Sequence, residues 1–273
     1  MSTGFPWRAG LAAGLLLAAW TPPAPARPRP DTRQPLCAQP RGAFVATALL
    51  VEYYNELPEP REGDNPRAWA ARMEKAVAAF KERVAGRYTE ATLQRLLDCP
   101  DETARRAAVL ALGLLGTMKS NEAVAGRLRD DDPAVRRLAA DALWSLWFRG
   151  DTEANNRELQ RLMGERDDDK AVAGLDDLIK KAPRFAEAYN QRAIRHFQAG
   201  DYRQAVADCE KVVRMNPYHF GAQSGMAQAY LRLRQPKAAL KAYRAAFQIN
   251  PNLDGVEDTI RALERALGEE GKK

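Results

Sequence analysis

Two adjacent stretches of 34 residues decide the fold of this chain. Residues 186–219 read AEAYNQRAIRHFQAGDYRQAVADCEKVVRMNPYH, and residues 220–253 read FGAQSGMAQAYLRLRQPKAALKAYRAAFQINPNL. Alanine recurs at equivalent positions, in the aligned pairs Ala188 and Ala222, Ala193 and Ala227, and Ala205 and Ala239. Small residues let two helices cross closely, and the Asn-Pro near the end of each copy follows the helix that it terminates. Each copy is therefore predicted to be a pair of antiparallel helices.

A degenerate copy precedes these two stretches, and a capping helix follows them. Residues 152–185 form a third 34-residue unit, with Ala171, Leu175 and Pro183 at equivalent positions. After the last copy, an apolar stripe runs through Val256, Ile260, Leu263 and Leu267. Stacked repeats need such a cap because their last unit would otherwise expose its core. We therefore assign residues 151–253 to the repeats and residues 254–273 to a capping helix and tail.

A second repeat lies earlier in the chain. Residues 101–112 read DETARRAAVLAL and align with DPAVRRLAADAL at residues 132–143, at an offset of 31. Asp101 and Asp132 have the chemistry of helix N-caps, and Pro133 fits a first helical position. The pattern predicts a short helix, an acidic turn and a longer helix in each unit, and we assign residues 89–150 to this section.

The 34-residue units resemble the tetratricopeptide repeat (TPR). That pattern asks for an aromatic residue, two small residues and a proline at set positions, and Tyr189, Ala193, Ala205 and Pro217 meet it. The 31-residue units resemble HEAT repeats, in which an Asp before the second helix faces the Arg of a Val-Arg pair. Asp130 and Val135-Arg136 match that pattern, whereas Cys99 stands at the Asp position of the first copy.

These resemblances imply an all-α fold, an α-solenoid in which the HEAT-like section runs into the TPR section near Gly150. They also imply that the first helix of each TPR unit lines an inner groove. The side chains expected to point into that groove are Asn156, Gln160, Asn190, Ile194, Phe197, Gln198, Ser224, Gln228, Leu231 and Arg232. Asn and Gln both donate and accept hydrogen bonds, so they could hold a peptide backbone, while Phe197 and Leu231 could supply apolar pockets.

The residues before the repeats divide into a leader and two helices. Residues 9–20 are an apolar run after Arg8, too short to span a bilayer, and a small-x-small pattern ends at Ala26. Residues 1–26 therefore read as a signal peptide, with an uncleaved membrane anchor as the alternative. Residues 27–41 hold four prolines and are expected to be a disordered linker. Apolar periodicity predicts helices within residues 42–88, separated by a proline-rich loop.

The leader makes us expect export to the periplasm or cell envelope, with secretion as an alternative and no membrane span after cleavage. The three cysteines lie far apart and leave one over, so they do not indicate a framework of disulfides. Cys99 and Cys209 are expected to be small buried residues. The charge of +6 is mild and dispersed.

No catalytic constellation is evident in the sequence. The chain has two histidines, and neither has a neighbouring nucleophile in any known pattern. The loop at Gly116 lacks the spacing and the preceding strand of a phosphate loop. The Asp runs at residues 130–132 and 167–169 fit helix caps better than calcium loops. We expect no catalytic residues, no metal and no cofactor.

Three hypotheses follow. The first is an exported, non-enzymatic scaffold that binds protein or peptide partners through the solenoid groove. The second is a polyanion or cell-wall polymer binder that uses the repeated arginines Arg105, Arg106, Arg136 and Arg137; pairing with Asp130 and its neighbours is the simpler interpretation of those arginines, and nucleic acid is not favoured because no aromatic stacking pattern accompanies them. The third is a small enzyme or an enzyme accessory subunit, which would need a deep pocket with perturbed titratable groups.

Overall fold

The computed structural model describes residues 41–59 and 63–270, and all regular secondary structure in these residues is helical. The α-helices are α1 (Arg41–Asn55), α2 (Pro66–Ala85), α3 (Glu90–Leu96), α4 (Glu102–Leu115), α5 (Asn121–Gly126), α6 (Pro133–Phe148), α7 (Glu153–Met163), α8 (Asp168–Lys181), α9 (Ala186–Ala199), α10 (Tyr202–Met215), α11 (Phe220–Arg232), α12 (Pro236–Ile249) and α13 (Val256–Glu270). Two short 3-10 helices flank α5, at Met118–Ser120 and Arg127–Arg129. The all-α class predicted from the repeats is confirmed.

The predicted signal peptide over residues 1–26 and the linker up to residue 40 lie outside the described residues. None of the described helices is long and apolar enough to cross a membrane. The chain divides into two compact units, with the boundary between Leu146 and Trp147. The HEAT-like pattern falls mainly in the first unit, and the TPR pattern falls in the second.

The first unit packs its N-terminal helices around α4. Helices α1, α2 and α3 all contact α4, whose Ala104, Ala107 and Ala108 are fully buried. Helix α6 crosses α4 closely at Gly113, where an added Cβ atom would lie 2.9 Å from the Cβ of Ala142. A residue without a side chain is needed at this crossing because the two backbones leave no room for a methyl group.

The turns of this unit carry the predicted cap chemistry. The Asp101 carboxylate accepts a hydrogen bond of 2.8 Å from the N–H of Ala104, at the start of α4. At the equivalent turn, Asp132 accepts a hydrogen bond of 2.8 Å from the N–H of Ala134. Each carboxylate satisfies a backbone donor that the first helical turn leaves without a partner.

The second unit is a series of helical hairpins. Helix α9 packs on α10 and α11 packs on α12, while α10 contacts α11 and α12 contacts α13. The six aligned alanines of the two full repeats are at most 1% exposed, as helix crossings require. Val256 and Ile260 of α13 pack into a cluster with Leu240 and Tyr243 of α12. Helix α13 therefore covers the last hairpin, which is the role predicted for a cap.

The turn between the two helices of each full repeat needs a left-handed residue. Gly200 takes that conformation, with φ of +87°, and closes α9. The equivalent residue 34 positions later is Arg234, whose φ is +56°. Glycine adopts this region at no steric cost, whereas a residue with a Cβ atom is strained there. The second turn thus keeps the geometry of the first with a less suitable residue.

The cysteines require one correction. Cys209 is a free, buried thiol, as expected. Cys99 is also buried, but it is disulfide-bonded, so the expectation of unlinked cysteines was wrong for this residue. Wide spacing along the sequence gave no sign of a bridge because a disulfide depends on proximity in space, which the fold supplies.

Candidate functional site

The side chains predicted to line the groove lie on α7, α9 and α11, the first helices of the three TPR-like pairs. Gln160, Gln198, Leu231 and Arg232 are exposed; Asn156, Ile194, Phe197, Ser224 and Gln228 are half-buried; Asn190 is buried. On α9 and α11, exposure increases toward the C-terminal end of the helix. The accessible part of the predicted groove therefore lies at those ends.

The amide of Asn156 is engaged within its own loop. Its Oδ1 accepts a hydrogen bond of 3.2 Å from the N–H of Asp151, and its Nδ2 donates to the carbonyl of Asp151 at 3.0 Å. Asn156 therefore fixes the entry into α7, and both ends of its amide already have partners. It is a positioning residue in this geometry.

Asn190 belongs to a buried polar cluster centred on Glu187. The Glu187 carboxylate accepts hydrogen bonds from Asn190 at 2.9 Å and from Gln191 at 2.7 Å, and His219 lies 3.0 Å away. Glu187 and Asn190 are each 1% exposed. Asn190 is thus held inside the fold, and a ligand could reach its amide only after local opening.

His219 joins two elements of this cluster. Its Nδ1 accepts a hydrogen bond of 3.0 Å from the N–H of Ala222, at the start of α11. The ring proton therefore resides on Nε2, which donates to Glu187 at 3.0 Å. His219 acts as the N-cap of α11 and ties that helix to α9. The sequence placed this histidine at a repeat boundary without a partner.

The indole of Trp147 covers His219. The two rings stack with centroids 4.0 Å apart and planes inclined by 20°, and Phe220 lies at a tilted 5.1 Å on the same indole. Trp147, His219 and Phe220 are all buried. This aromatic contact seals the N-terminal end of α11, and nothing in the repeat pattern singled out Trp147 for it.

The open end of the surface combines apolar and cationic groups. Leu231 is 37% exposed, which is unusual for a large aliphatic residue of this fold. The Arg232 guanidinium lies 6.0 Å from the centroid of the Phe197 ring, and Tyr202 meets that ring edge-on at 5.3 Å. Such a patch can contact an apolar side chain and an anionic group at the same time.

A half-buried arginine supports α9, the helix that carries Phe197. Arg192 of α9 makes a bidentate ion pair of 2.7 Å with Asp208 of α10 and contacts Asp176 of α8 at 2.5 Å. The Asp208 side chain is only 4% exposed. The hydrogen bonds that Arg192 donates to Asp208, though opposed by burial, raise the pKa of the Arg192 guanidinium above its usual value. Three successive helices are thereby linked through one side chain.

Three of the four repeated arginines of the first unit have partners within it, while Arg137 is exposed. Arg105 makes a bidentate contact with Asp130, and Arg106 pairs with Asp132. Arg136 donates to the backbone carbonyls of Asp130 and Asp131. The expected contact between the Asp130 carboxylate and the Val-Arg pair of its own unit is replaced by one with Arg105 of the preceding unit. These arginines are structural, so the geometry gives no support to the polyanion hypothesis.

A carboxylate of the protein fills the loop at Gly116. Glu90 accepts hydrogen bonds from the N–H of Thr117 at 2.8 Å, from the Thr117 hydroxyl at 3.0 Å and from the Ser120 hydroxyl at 2.5 Å. Burial works against ionisation, but these hydrogen bonds hold the pKa of Glu90 below its usual value. The donors that could have cradled a phosphate are thus used to fasten this loop to α3.

The described residues show no grouping of three or more His, Cys, Asp and Glu side chains suited to a metal ion. His196 stands 4.0 Å from Asp208, which Arg192 already occupies. Both nitrogens of His219 have partners inside the fold.

Comparison with known families agrees with the two repeat sections. The HEAT-repeat family matches residues 89–186. Tetratricopeptide-repeat families match residues 156–219 and residues 196–256. The HEAT and TPR matches overlap across α7 and α8, the hairpin that the sequence pattern assigned to a degenerate TPR unit.

Several curated proteins are similar to this chain. A TPR repeat-containing protein of Rhizobium etli is 29% identical over 142 residues, which is 51% of this chain and 70% of that protein. Small glutamine-rich tetratricopeptide repeat-containing protein 2 of Saccharomyces cerevisiae is 29% identical over 36% of this chain and 30% of its own length. Hsp70-Hsp90 organizing protein 1 of Glycine max is 32% identical over 36% of this chain and 18% of its own length. The chain thus spans less than a third of the last two relatives.

Solved structures give similar matches at low identity. The Sgt2 TPR domain from Aspergillus fumigatus is 19% identical, with a TM-score of 0.41 over 45% of this chain and 84% of that one. A MamA mutant is 18% identical, with a TM-score of 0.37 over 63% of this chain and 93% of that one.

Proposed function

Because this chain is a repeat protein with HEAT and tetratricopeptide repeats, we propose that it is a non-enzymatic scaffold that binds a protein or peptide partner. The binding surface is the open end of the TPR groove. The observation that carries this proposal is the exposed Leu231 next to Arg232, whose guanidinium lies 6.0 Å from the centroid of the Phe197 ring. A surface that places an aliphatic side chain, an aromatic ring and a guanidinium on neighbouring helices can contact both an apolar and an anionic part of a partner.

The relatives support the same class of function. One is named an Hsp70-Hsp90 organizing protein, and another is a TPR repeat-containing protein. The supporting features in this chain are its stacked hairpins and a surface that offers side chains of mixed polarity without a catalytic arrangement. These features favour recognition over turnover.

Site-specific cross-linking in the native cell tests the proposal. A photoreactive phenylalanine analogue is placed at Leu231, and a matched control carries it at Lys241, an exposed residue of α12 in the same repeat. We expect adducts with a protein partner from position 231 and none from position 241. Equal adduct patterns from both positions, or none from either, would contradict a groove scaffold.

We also propose that the protein is exported to the cell envelope. The apolar segment of residues 9–20 and the small-x-small pattern at Ala26 support this. The disulfide at Cys99 gives independent support, because such bonds persist in oxidising compartments and are rare in the cytosol.

Fractionation and intact-mass measurement test the export proposal. We expect the protein in the envelope fraction, with an N-terminus at Arg27 if the signal is cleaved, or retained in the membrane with Met1 if the segment is an anchor. Recovery of the full-length protein from the cytosol would contradict export. A non-reducing peptide map of the same sample identifies the cysteine linked to Cys99 and tests whether it is Cys37.

A further inference from the structure

We propose that the turn between α11 and α12 is a docking site for an anionic lipid surface. Its cations are Arg234 in the turn and Lys237 and Lys241 on α12, together called the basic corner. The inference goes beyond the proposed groove function and does not depend on it, because the basic corner contains none of the residues assigned to the groove. It follows from the charges of the three repeat turns, from the backbone of Arg234 and from the exposure of the three side chains.

The positive charge of the chain is concentrated near the end of the TPR section. Residues 211–253 contain seven Lys and Arg residues and no Asp or Glu. The chain as a whole has 42 Lys and Arg residues and 36 Asp and Glu residues, for a net charge of +6. This one stretch therefore carries more positive charge than the whole chain has in excess.

The charge of the turn between the two helices of a unit changes from one unit to the next. Residues 162–169, between α7 and α8, have a formal charge of −3, from four acids and one arginine. The equivalent residues 196–203, between α9 and α10, have a formal charge of 0, and residues 230–237, between α11 and α12, have a formal charge of +3. All three turns join the helices of a hairpin, so the positive charge is a property of the last turn and not of the repeat.

The backbone of the last turn departs from what the fold favours. Arg234 donates a hydrogen bond of 3.0 Å to the carbonyl of Leu231, and Gln235 donates one of 2.9 Å to the carbonyl of Tyr230. This pair of bonds closes a helix with a left-handed residue that is usually glycine. Gly200 takes that place after α9, whereas Arg234 takes it after α11. A cation is thus kept where glycine would be less strained, and such strain is typical of functional sites.

The three cations of the basic corner are accessible. Arg234, Lys237 and Lys241 are exposed, and none of them forms an ion pair with a side chain that the structure describes. Lys237 and Lys241 are one helical turn apart, so they lie on the same side of α12. Arg244 is the next cation along α12, but it pairs with Glu264 of α13 at 2.7 Å. The available charge therefore lies at the start of α12 and in the turn before it.

Acidic residues limit the extent of this positive surface. Asp201 occupies the position of Gln235 in the preceding turn. Glu210 of α10 accepts a hydrogen bond of 3.4 Å from the Tyr230 hydroxyl. Glu269 stands in the last turn of α13, which packs on α12. The docking site is therefore confined to the basic corner and does not extend over the whole hairpin.

The basic corner fits the headgroups of an anionic bilayer. Lys and Arg side chains are attracted by the negative potential of such a surface, and their long stems reach the phosphates while the backbone stays in water. A turn at the end of a hairpin presents its side chains outward, as contact with a planar surface requires. Nucleic acid fits less well, because Tyr230, the aromatic residue of this turn, is half-buried and is not placed to stack on bases.

Contact quenching by lipid tests the proposal on the full chain. A fluorescent dye is attached to the variant Gln235→Cys, at an exposed position of the turn, and the quencher is a nitroxide on a lipid headgroup. Cys209 is a buried thiol, so the dye is directed to the introduced cysteine. The vesicles contain equal parts of phosphatidylglycerol and phosphatidylcholine, or phosphatidylcholine alone. A second dye position, Met215→Cys, lies at the far end of α10 from the turns.

The quenching acts at short range, so it reports on the turn itself and not on insertion of residues 9–20. The test variant removes the three cations of the basic corner: Arg234→Gly, Lys237→Gln and Lys241→Gln. The change at residue 234 relieves its left-handed strain, so lost binding cannot be ascribed to a weakened turn. The matched control removes three exposed cations of the TPR section that lie away from the corner: Arg157→Gln, Lys180→Gln and Arg214→Gln.

We expect quenching at position 235 with the anionic vesicles and little with the neutral ones. Each cation near an anionic surface strengthens binding by about fivefold, so the test variant should need more than about tenfold more lipid for half-maximal quenching. The matched control should behave like the wild type. Raising NaCl to about 0.5 M should abolish the quenching because the corner charges are then screened.

Absence of quenching, equal quenching by both kinds of vesicle, or a test variant that behaves like the wild type overturns the inference. An equal loss in the matched control also overturns it, since net charge and not the corner would then act, as does equal quenching at position 215. Binding of a DNA duplex without quenching by vesicles would assign the corner to nucleic acid instead. In each case a partner captured by the cross-linker at position 231 leaves the proposed function standing, so the two failures are distinguishable.

Discussion

Arg105 of one HEAT-like unit donates two parallel hydrogen bonds, of 2.9 Å and 2.8 Å, to the Asp130 carboxylate of the next unit. The Asp130 side chain is 4% exposed and the Arg105 side chain 13%. Arg127 adds a second cation, 3.6 Å from the Asp130 carboxylate. Burial alone would disfavour the charged carboxylate, but the hydrogen bonds and charge of Arg105 hold the pKa of Asp130 below its usual value. The contact between units is therefore both ionic and directional.

Replacing Asp130 by Ala should destabilise the first unit by about 3 kcal/mol, because Arg105 would stay buried without its carboxylate. Urea denaturation followed by circular dichroism measures the change. The matched control is Asp177→Ala, which removes an exposed pair with Lys180 and should cost little. Equal midpoints for the two variants would show that the ion pair contributes nothing.

Asp141 differs from Asp130 in the direction of its pKa shift, so its effect on stability should depend on pH in the opposite sense. Burial raises the pKa of Asp141 to about 6, and Arg137 only partly opposes this. Above that pKa the half-buried carboxylate is charged, and this charge destabilises the folded protein. The destabilisation disappears as the pH falls toward the pKa that Asp141 has in the unfolded chain. Asp141→Asn should stabilise the fold by about 2 kcal/mol at about pH 7.5, and by clearly less at about pH 4.5.

The Asp141 measurement is a pair of urea midpoints at each pH, for wild type and variant. The residue equivalent to Asp141 in the first copy is Leu110, so Asp141→Leu provides a second variant that should stabilise at neutral pH. A stability difference that does not depend on pH would refute the assignment.

Much of this architecture is readable from the sequence because it is local. The aligned alanines mark where helices cross, and Asp101 and Asp132 mark where helices start; the structure has both. Side-chain contacts between neighbouring repeat units could not be predicted from the sequence. The pattern assigned the Asp130 carboxylate to Arg136 of its own unit, but Arg105 reaches it from the preceding unit.

The site shows the same division. Repeat positions located Leu231 and Arg232 on an accessible surface, but they also nominated Asn190, which is buried. The burial comes from Glu187 and His219, and from Trp147, which lies outside both full repeats. A periodic pattern identifies a face of a helix and carries no information on the side chains that another element brings to it. The disulfide of Cys99 was missed for the same reason.

Arg234→Gly should stabilise the second unit by about 1 kcal/mol, because Arg234 holds a left-handed φ of +56° that favours glycine. Thermal unfolding measures the shift. The reverse change at the equivalent turn, Gly200→Ala, should destabilise by about the same amount. A loss of stability in Arg234→Gly would mean that its side chain has a role that outweighs the strain.

Glu187→Ala should destabilise the second unit by about 3 kcal/mol, since Asn190, Gln191 and His219 would lose a buried acceptor. Hydrogen exchange of the amides at the start of α11 should quicken, because His219 would no longer be held as their cap. Glu153→Ala is the control, since Glu153 stands at the equivalent position of the preceding unit and is exposed. Similar exchange in both variants would argue against the cluster.

The contact between Arg105 and Asp130 determines how the HEAT-like section could be lengthened by duplication of a unit. The first unit extends the Arg105 guanidinium to the Asp130 carboxylate of the second unit, and Cys99 occupies the position of that carboxylate in the first unit. A gene duplication of the 31-residue block would thus insert a unit whose two partners already exist on either side. A unit added in the middle of the HEAT-like section would require no other substitution. A unit added before the first one would require replacement of Cys99.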